Sequence, residues 1–213
     1  MRICALALLA LVLTACGSSS TTRGSGNVVS VPRAVSPFSH LDFTGAAEVS
    51  VRVGGKTAVT IRGDDNIVPL ITTDVRDGTL VISSRHGYSS KNTLRVEIVT
   101  PTLGSAVLSG AGSVTADGIH SQRFTADLRG AGRIELGGTT RSVGVSVNGV
   151  GSAELGSLVA RDAIVDVNGT GSVHVYATGT LDATVNGVGS IRYSGKPATV
   201  HTSINGLGSV VAG

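Results

Sequence analysis

The chain has 213 residues, with 30 Gly, 5 Pro, 3 Phe, 3 Tyr and no Trp, and its 17 basic and 14 acidic side chains give a formal charge of +3. Glycine is about twice as frequent as in ordinary soluble domains, charge is low at 15%, and a hydrophobic content of 41% excludes a wholly disordered chain. No apolar run reaches the ~18–20 residues of a membrane-spanning helix, and the slight basic excess with so few aromatics supplies neither the basic patch nor the stacking platform of a nucleic-acid binder.

In chain order, Met1 and Arg2 precede an apolar stretch from Ile3 to Leu13 and the small residues Thr14 and Ala15. These are the features of a secretory signal, so residues 1–15 are expected to be removed. Leu13-Thr14-Ala15-Cys16 resembles a bacterial lipobox, which implies acylation of Cys16, with chains such as palmitate, and anchoring of an exported protein in the cell envelope. In an organism with two membranes, Gly17 after the cysteine resembles the outer-membrane sorting pattern. Cys4 would leave with the signal and Cys16 would carry lipid, so no disulfide is expected. Residues 16–27, rich in Ser, Thr and Gly, read as the lipidated Cys and a flexible tether, with one folded domain over 28–213.

Residues 28–105 read as wide, irregular coils, with one early coil over 42–51. Strands are expected over 58–61, 67–75, 79–83 and 94–99, separated by turns at 63–66 and at Asp77-Gly78, with a surface loop over 85–92. From there a unit recurs whose first glycine falls at Gly110, Gly130, Gly149, Gly169, Gly187 and Gly206, at spacings of 20, 19, 20, 18 and 19. Two residues before that glycine stand Leu108, Leu128, Val147, Val167, Val185 and Ile204; four after it stand Val114, Ile134, Ala153, Val173, Ile191 and Val210. Residues between these positions are mostly polar, the period-two pattern of strands with one buried face.

The paired glycines mark a tight bend and permit backbone angles closed to other residues. Asn148, Asn168, Asn186 and Asn205 precede the first glycine, and Ser113, Ser152, Ser172, Ser190 and Ser209 follow it by three. In a parallel stack with laps about 4.8 Å apart, like residues lie over like and form hydrogen-bonded ladders. Reading each Asn-Gly as a hairpin turn would give an antiparallel meander, but a meander requires no identity at every ~19th residue, whereas a solenoid does. The fold class is therefore all-β: a parallel β-helix (β-solenoid) of about 19 residues per coil in the C-terminal half.

The opening segment from Phe38, the segment from Gly63-Asp-Asp-Asn, Asp77-Gly-Thr-Leu and the repeated Asn-Gly-x-Gly-Ser together resemble the GIN-domain family, the auto-transporter adhesin head domain, over about residues 37–213. The resemblance implies a right-handed parallel β-helix on an exported, often membrane-anchored protein. It carries no catalytic residues across.

No enzyme motif survives inspection. Where a dinucleotide fingerprint needs its third glycine stand Thr115, Glu135, Glu154, His174, Arg192 and Val211, and no helix follows. No nucleophile elbow or metal-binding His pair is present, so neither cofactor nor metal is expected. Asn168-Gly169-Thr170 matches a glycosylation sequon but reads as a ladder rung. The column Glu135, Glu154, His174 is a candidate surface site for a cation or for acid–base work, against the reading of water-screened charges balanced by His174 and Arg192. Asp127 and Asp166, two coils or about 9.6 Å apart, stand near the outer limit for an inverting glycosidase. The function expected is a lipid-anchored, non-catalytic interaction, adhesin-like or structural module; the alternative is a polysaccharide-binding or polysaccharide-degrading β-helix. Its partners would be the membrane through lipid, and a protein or glycan. The last coil shows no capping segment, so a second copy or another envelope protein is expected to pair there.

Overall fold

The computed structural model describes residues 21–213. The expected signal peptide, Cys16 and the first part of the tether lie outside the described residues. The strands of the N-terminal half are β1 (Thr22–Arg23), β2 (Val28–Arg33), β3 (His40–Gly45), β4 (Glu48–Val53), β5 (Ala58–Asp64), β6 (Ile71–Arg76), β7 (Thr79–Ser84), β8 (Tyr88–Ser89), β9 (Arg95–Thr100) and β10 (Ser105–Gly110). The repeats supply β11 (Ser113–Leu128), β12 (Ala131–Val147), β13 (Val150–Val167), β14 (Thr170–Ala177), β15 (Thr180–Val185), β16 (Val188–Ser194), β17 (Thr199–Ile204) and β18 (Leu207–Ala212). No α-helix occurs among the described residues.

Every pairing among the repeat strands is parallel and joins residues one lap apart: β11 with β12, β12 with β13, β13 with β14 and β15, then β14 with β16, β15 with β17 and β16 with β18. The molecule is thus a β-solenoid, and the meander alternative falls. Each lap superimposes its apolar columns. Leu128, Val147, Val167 and Val185 stack at 0% exposure, and the column from Val114 to Ile191 is equally closed. Alternation along each arm buries one face, and every coil covers the side chains of the next. β11, β12 and β13 run 16, 17 and 18 residues because the pairing continues round a corner, where a shift in register absorbs the bend.

The glycine column has a different cause from the one the sequence suggests. Of the six first glycines, only Gly110 has a left-handed backbone angle, φ 142°. The others are required by close approach. A Cβ on Gly130, Gly149, Gly169, Gly187 or Gly206 would lie closer than 3.0 Å to the carbonyl oxygen of the glycine one lap below. That oxygen is engaged at the corner, where Val150 N–H donates to Gly130 O at 2.9 Å and Thr170 N–H to Gly149 O at 2.9 Å. Identity down the column follows from vertical stacking.

The irregularity of the N-terminal half takes a specific form, strand reversal. β5 runs antiparallel to both β2 and β9, and β6 runs antiparallel to β7. The early coil over 42–51 lies directly below the repeats, with β3 parallel to β10 and β4 parallel to β11. Val68–Leu70 is a 3-10 turn where a strand was expected. Pro69 fixes φ and removes the N–H that a ladder would need.

The expected tether and surface loop also change. β1 pairs parallel with β8, so the described fold begins at Thr22 and not at Val28. Asn66 holds this segment from below: its Nδ2 donates to Arg23 O at 2.8 Å, and its Oδ1 accepts Ser25 N–H at 3.0 Å. Buried Asp64 accepts Ser90 Oγ–H and Asn92 Nδ2–H, each at 2.6 Å, which pins the far side of the same loop. These two hydrogen bonds, Ser90 first, hold the Asp64 carboxyl below its usual range against the opposing effect of burial.

Candidate functional site

The sides of the stack are its chemistry. Because register is kept from lap to lap, each outward position of the repeat becomes a column of like or related groups along the solenoid axis.

The first column is the asparagine ladder. Asn205 donates through Nδ2 to Asn186 Oδ1 at 3.0 Å, Asn186 to Asn168 at 2.8 Å and Asn168 to Asn148 at 2.9 Å. Asn148 donates to Ser146 Oγ at 2.8 Å and to Asp127 Oδ1 at 3.3 Å. All the amides point the same way, and the line ends on an acceptor-only carboxylate, where a charged hydrogen bond is stronger than a neutral one. Asp127 is in turn held by Arg129, whose Nε and Nη2 approach Oδ2 at 2.7 and 2.6 Å. That hydrogen bond and charge raise the Arg129 guanidinium above its usual pKa. Asp127 is therefore the foot of the ladder. The serines align in register as well, but no Ser–Ser hydrogen bond links neighbouring rungs of their column among the described residues.

Asp166 sits two laps from Asp127, with Ser146 between them. The two carboxylates share a column without converging, and one is already bound to a guanidinium.

The second column runs Thr115, Glu135, Glu154, His174, Arg192, Val211, each paired in register with the next. Glu154 Oε2 lies 3.8 Å from His174 Nδ1, and His174 Nε2 lies 3.0 Å from Ser194 Oγ. Gly156 leaves room for the imidazole, since a Cβ there would come within 2.7 Å of His174 Cε1. Glu154, His174 and Arg192, with Ser172 and Ser190, line a cleft of about 300 Å³. Glu135 lies one coil further along and outside that cleft. No group of three His, Cys, Asp or Glu side chains is placed to hold a metal ion among the described residues.

A third outward feature was missed in the sequence. The residue between the paired glycines points to solvent, leaving Val150, Val188 and Leu207 exposed at 62%, 51% and 78%. They form an apolar ridge beside a glycine-floored trough walled by Ser152, Ser172 and Ser190. The signal was available in the variable position of the repeated Gly-x-Gly, which holds Ala131, Val150, Thr170, Val188 and Leu207 in the last five copies. Cys16, the expected lipidation site, lies outside the described residues.

No curated protein matches the chain. Among solved structures, a "putative adhesin" from Bacteroides fragilis is 27% identical, covers 89% of this chain and 99% of its own, and superimposes with a TM-score of 0.73. A "putative lipid binding protein" from Parabacteroides distasonis, 22% identical over 91% of this chain and 100% of its own, has a TM-score of 0.51. A "putative adhesin" from Parabacteroides merdae, 16% identical over 91% and 99%, has a TM-score of 0.56. The last two establish likeness of fold alone. A family model described as "Putative auto-transporter adhesin, head GIN domain" matches residues 37–197, and with the stacked coils that those residues build, the chain belongs to that family.

Proposed function

We propose that this protein is an exported, lipid-anchored display module of the cell envelope that binds a protein or glycan partner and catalyses no reaction. The observation that carries the reading is the in-register stack, which turns single outward residues into stiff columns of repeated contacts. Membership of an adhesin family supports a binding role. Acylation of Cys16 would tether the solenoid, in the outer membrane where two membranes exist. Among the described residues β17 and β18 are each paired on one side only, with Ile204, Leu207 and Val211 exposed there at 46%, 78% and 43%, and a strand of a second copy would pair at these edges.

Three measurements test this. Palmitate labelling in cells should be lost in Cys16→Ala; retained label would refute the anchor. Glycan and envelope-protein arrays should yield a binder, while polysaccharides incubated with the protein release no reducing ends. Release abolished by Asp166→Ala would overturn the non-catalytic reading. Light scattering at about micromolar concentration should show dimers that Leu207→Lys dissociates; monomer alone would remove the edge contact.

A further inference from the structure

The charged column keeps its acids on one half and its bases on the other. Along the axis it reads neutral, acid, acid, base, base, neutral: Thr115, Glu135, Glu154, His174, Arg192, Val211. Equal spacing makes this sequence its own complement when reversed. A two-fold axis parallel to the strands, passing between the coils of Glu154 and His174, would set Glu135 of one copy against Arg192 of the other and Glu154 against His174, each contact occurring twice. Thr115 and Val211 would meet at the two ends. Closed two-fold contacts require such a self-complementary patch.

Two further observations favour a second copy as the occupant. Glu135 and Arg192 have no ion-pair partner among the described residues, and their neighbours in the column, Thr115 and Glu154 for one and His174 and Val211 for the other, supply no opposite charge. The adjoining outward column carries short side chains at four of its last five laps, Ser152, Ser172, Ser190 and Ser209, and the same rotation sets Ser152 against Ser172. Short hydroxymethyl groups let two sheet faces approach to the ~10 Å of packed sheets, a gap that Glu and Arg side chains span.

We infer that this strip is a self-recognition surface through which two copies of the chain associate side by side in antiparallel orientation. The six coils make a strip about 24 Å long and only two columns, roughly 14 Å, wide, an area well below the ~800 Å² per partner of a standard interface. The contact is accordingly weak, dependent on local concentration, and sensitive to salt. It meets the edge of β18 only at its last rung, Val211 and Ser209, and its charged centre lies on β12 to β16; it does not rest on the adhesin reading.

Opposite charge reversals test it. One variant carries Glu135→Arg and Glu154→Arg; the other carries His174→Glu and Arg192→Glu. With one partner immobilised, the mixed pair should be captured about tenfold more strongly than either variant by itself, and the difference should disappear at about 0.5 M salt. Uncharged contacts elsewhere, such as strand pairing at the open edges, add equally to all three pairings. Equal capture in the three pairings, or a ranking indifferent to salt, would overturn the proposal. Should a reversed variant fail to fold, Glu135→Gln with Glu154→Gln is the second test. It should weaken self-association of the wild-type surface about tenfold with an unchanged melting temperature; undiminished association would refute the strip.

Discussion

Gly169→Ala strikes the feature on which the stack depends. The new Cβ would lie closer than 3.0 Å to Gly149 O and at 3.0 Å from Gly149 C and N, all of them backbone atoms with no rotamer to yield. The two laps must separate locally. Overpacking of this kind costs about 1–3 kcal/mol, and spreading the corner weakens the 2.9 Å bond from Thr170 N–H to Gly149 O, worth about 1 kcal/mol. The expected loss is about 2–4 kcal/mol, or a fall in melting temperature of about 4–16 °C for a domain of this size. Gly144→Ala is the matched control, because its Cβ would meet only Thr125 Cγ2 at 3.8 Å, an ordinary contact. It should stay within about 0.5 kcal/mol of wild type or gain slightly from a stiffer unfolded chain. Urea unfolding of the two variants side by side decides the matter. If Gly169→Ala is as stable as Gly144→Ala, close approach is not why glycine occupies this column.

Other consequences follow from particular contacts. Asn168→Ala removes two rungs of the amide ladder and Asn205→Ala one, so the interior substitution should lower stability by about 1–2 kcal/mol and the terminal one by about half as much, read by thermal melts. Thr100→Val deletes the buried hydroxyl that donates to Phe38 O at 3.0 Å; a loss of about 1–3 kcal/mol is expected, and a neutral result would mean that the carbonyl finds another donor. Asp64 has a carboxyl pKa held below its ordinary 3.8 by Ser90 and Asn92. Its contribution is therefore present above that ordinary value and disappears as pH falls through the lower, folded one. Protection of the Gly24 and Asn92 amides, taken relative to their intrinsic exchange at each pH, should fall in acid in the wild type, and Asp64→Asn should remove that acid dependence. Protection that keeps the same pH profile in both proteins would contradict the latch.

The repeat region was legible in the sequence because a solenoid writes its geometry into identity at fixed spacing. Leu128, Val147 and Val167 are each other's neighbours in space as well as in the column. The N-terminal half carries no such record. β5 and β6 run against the stack, and a reversed strand has no residue one lap away to resemble. Ile67 and Val68 are apolar and buried as a strand would make them, yet Pro69 turns the chain. The docking of β1 on β8 depends on Asp64, Asn66, Ser90 and Asn92, polar residues of a kind that also builds plain loops. At the candidate site the charged column was visible residue by residue. The engagement of Asp127 by Arg129 was not, because two-residue spacing across a corner has no periodic signature. The close approach behind the glycines was equally hidden, since a sequence shows that glycine is required without showing which atom requires it.

The in-register parallel stack is open to direct measurement by pulsed electron resonance between spin labels on the exposed ridge. Ala131, Val150, Thr170, Val188 and Leu207 are successive rungs, so Ala131 and Leu207 should lie about 19 Å apart and Val150 and Leu207 about 14 Å, an increment of about 4.8 Å for each lap. Separations that do not grow in proportion to the number of laps between the labels would contradict the stack and every outward column derived from it.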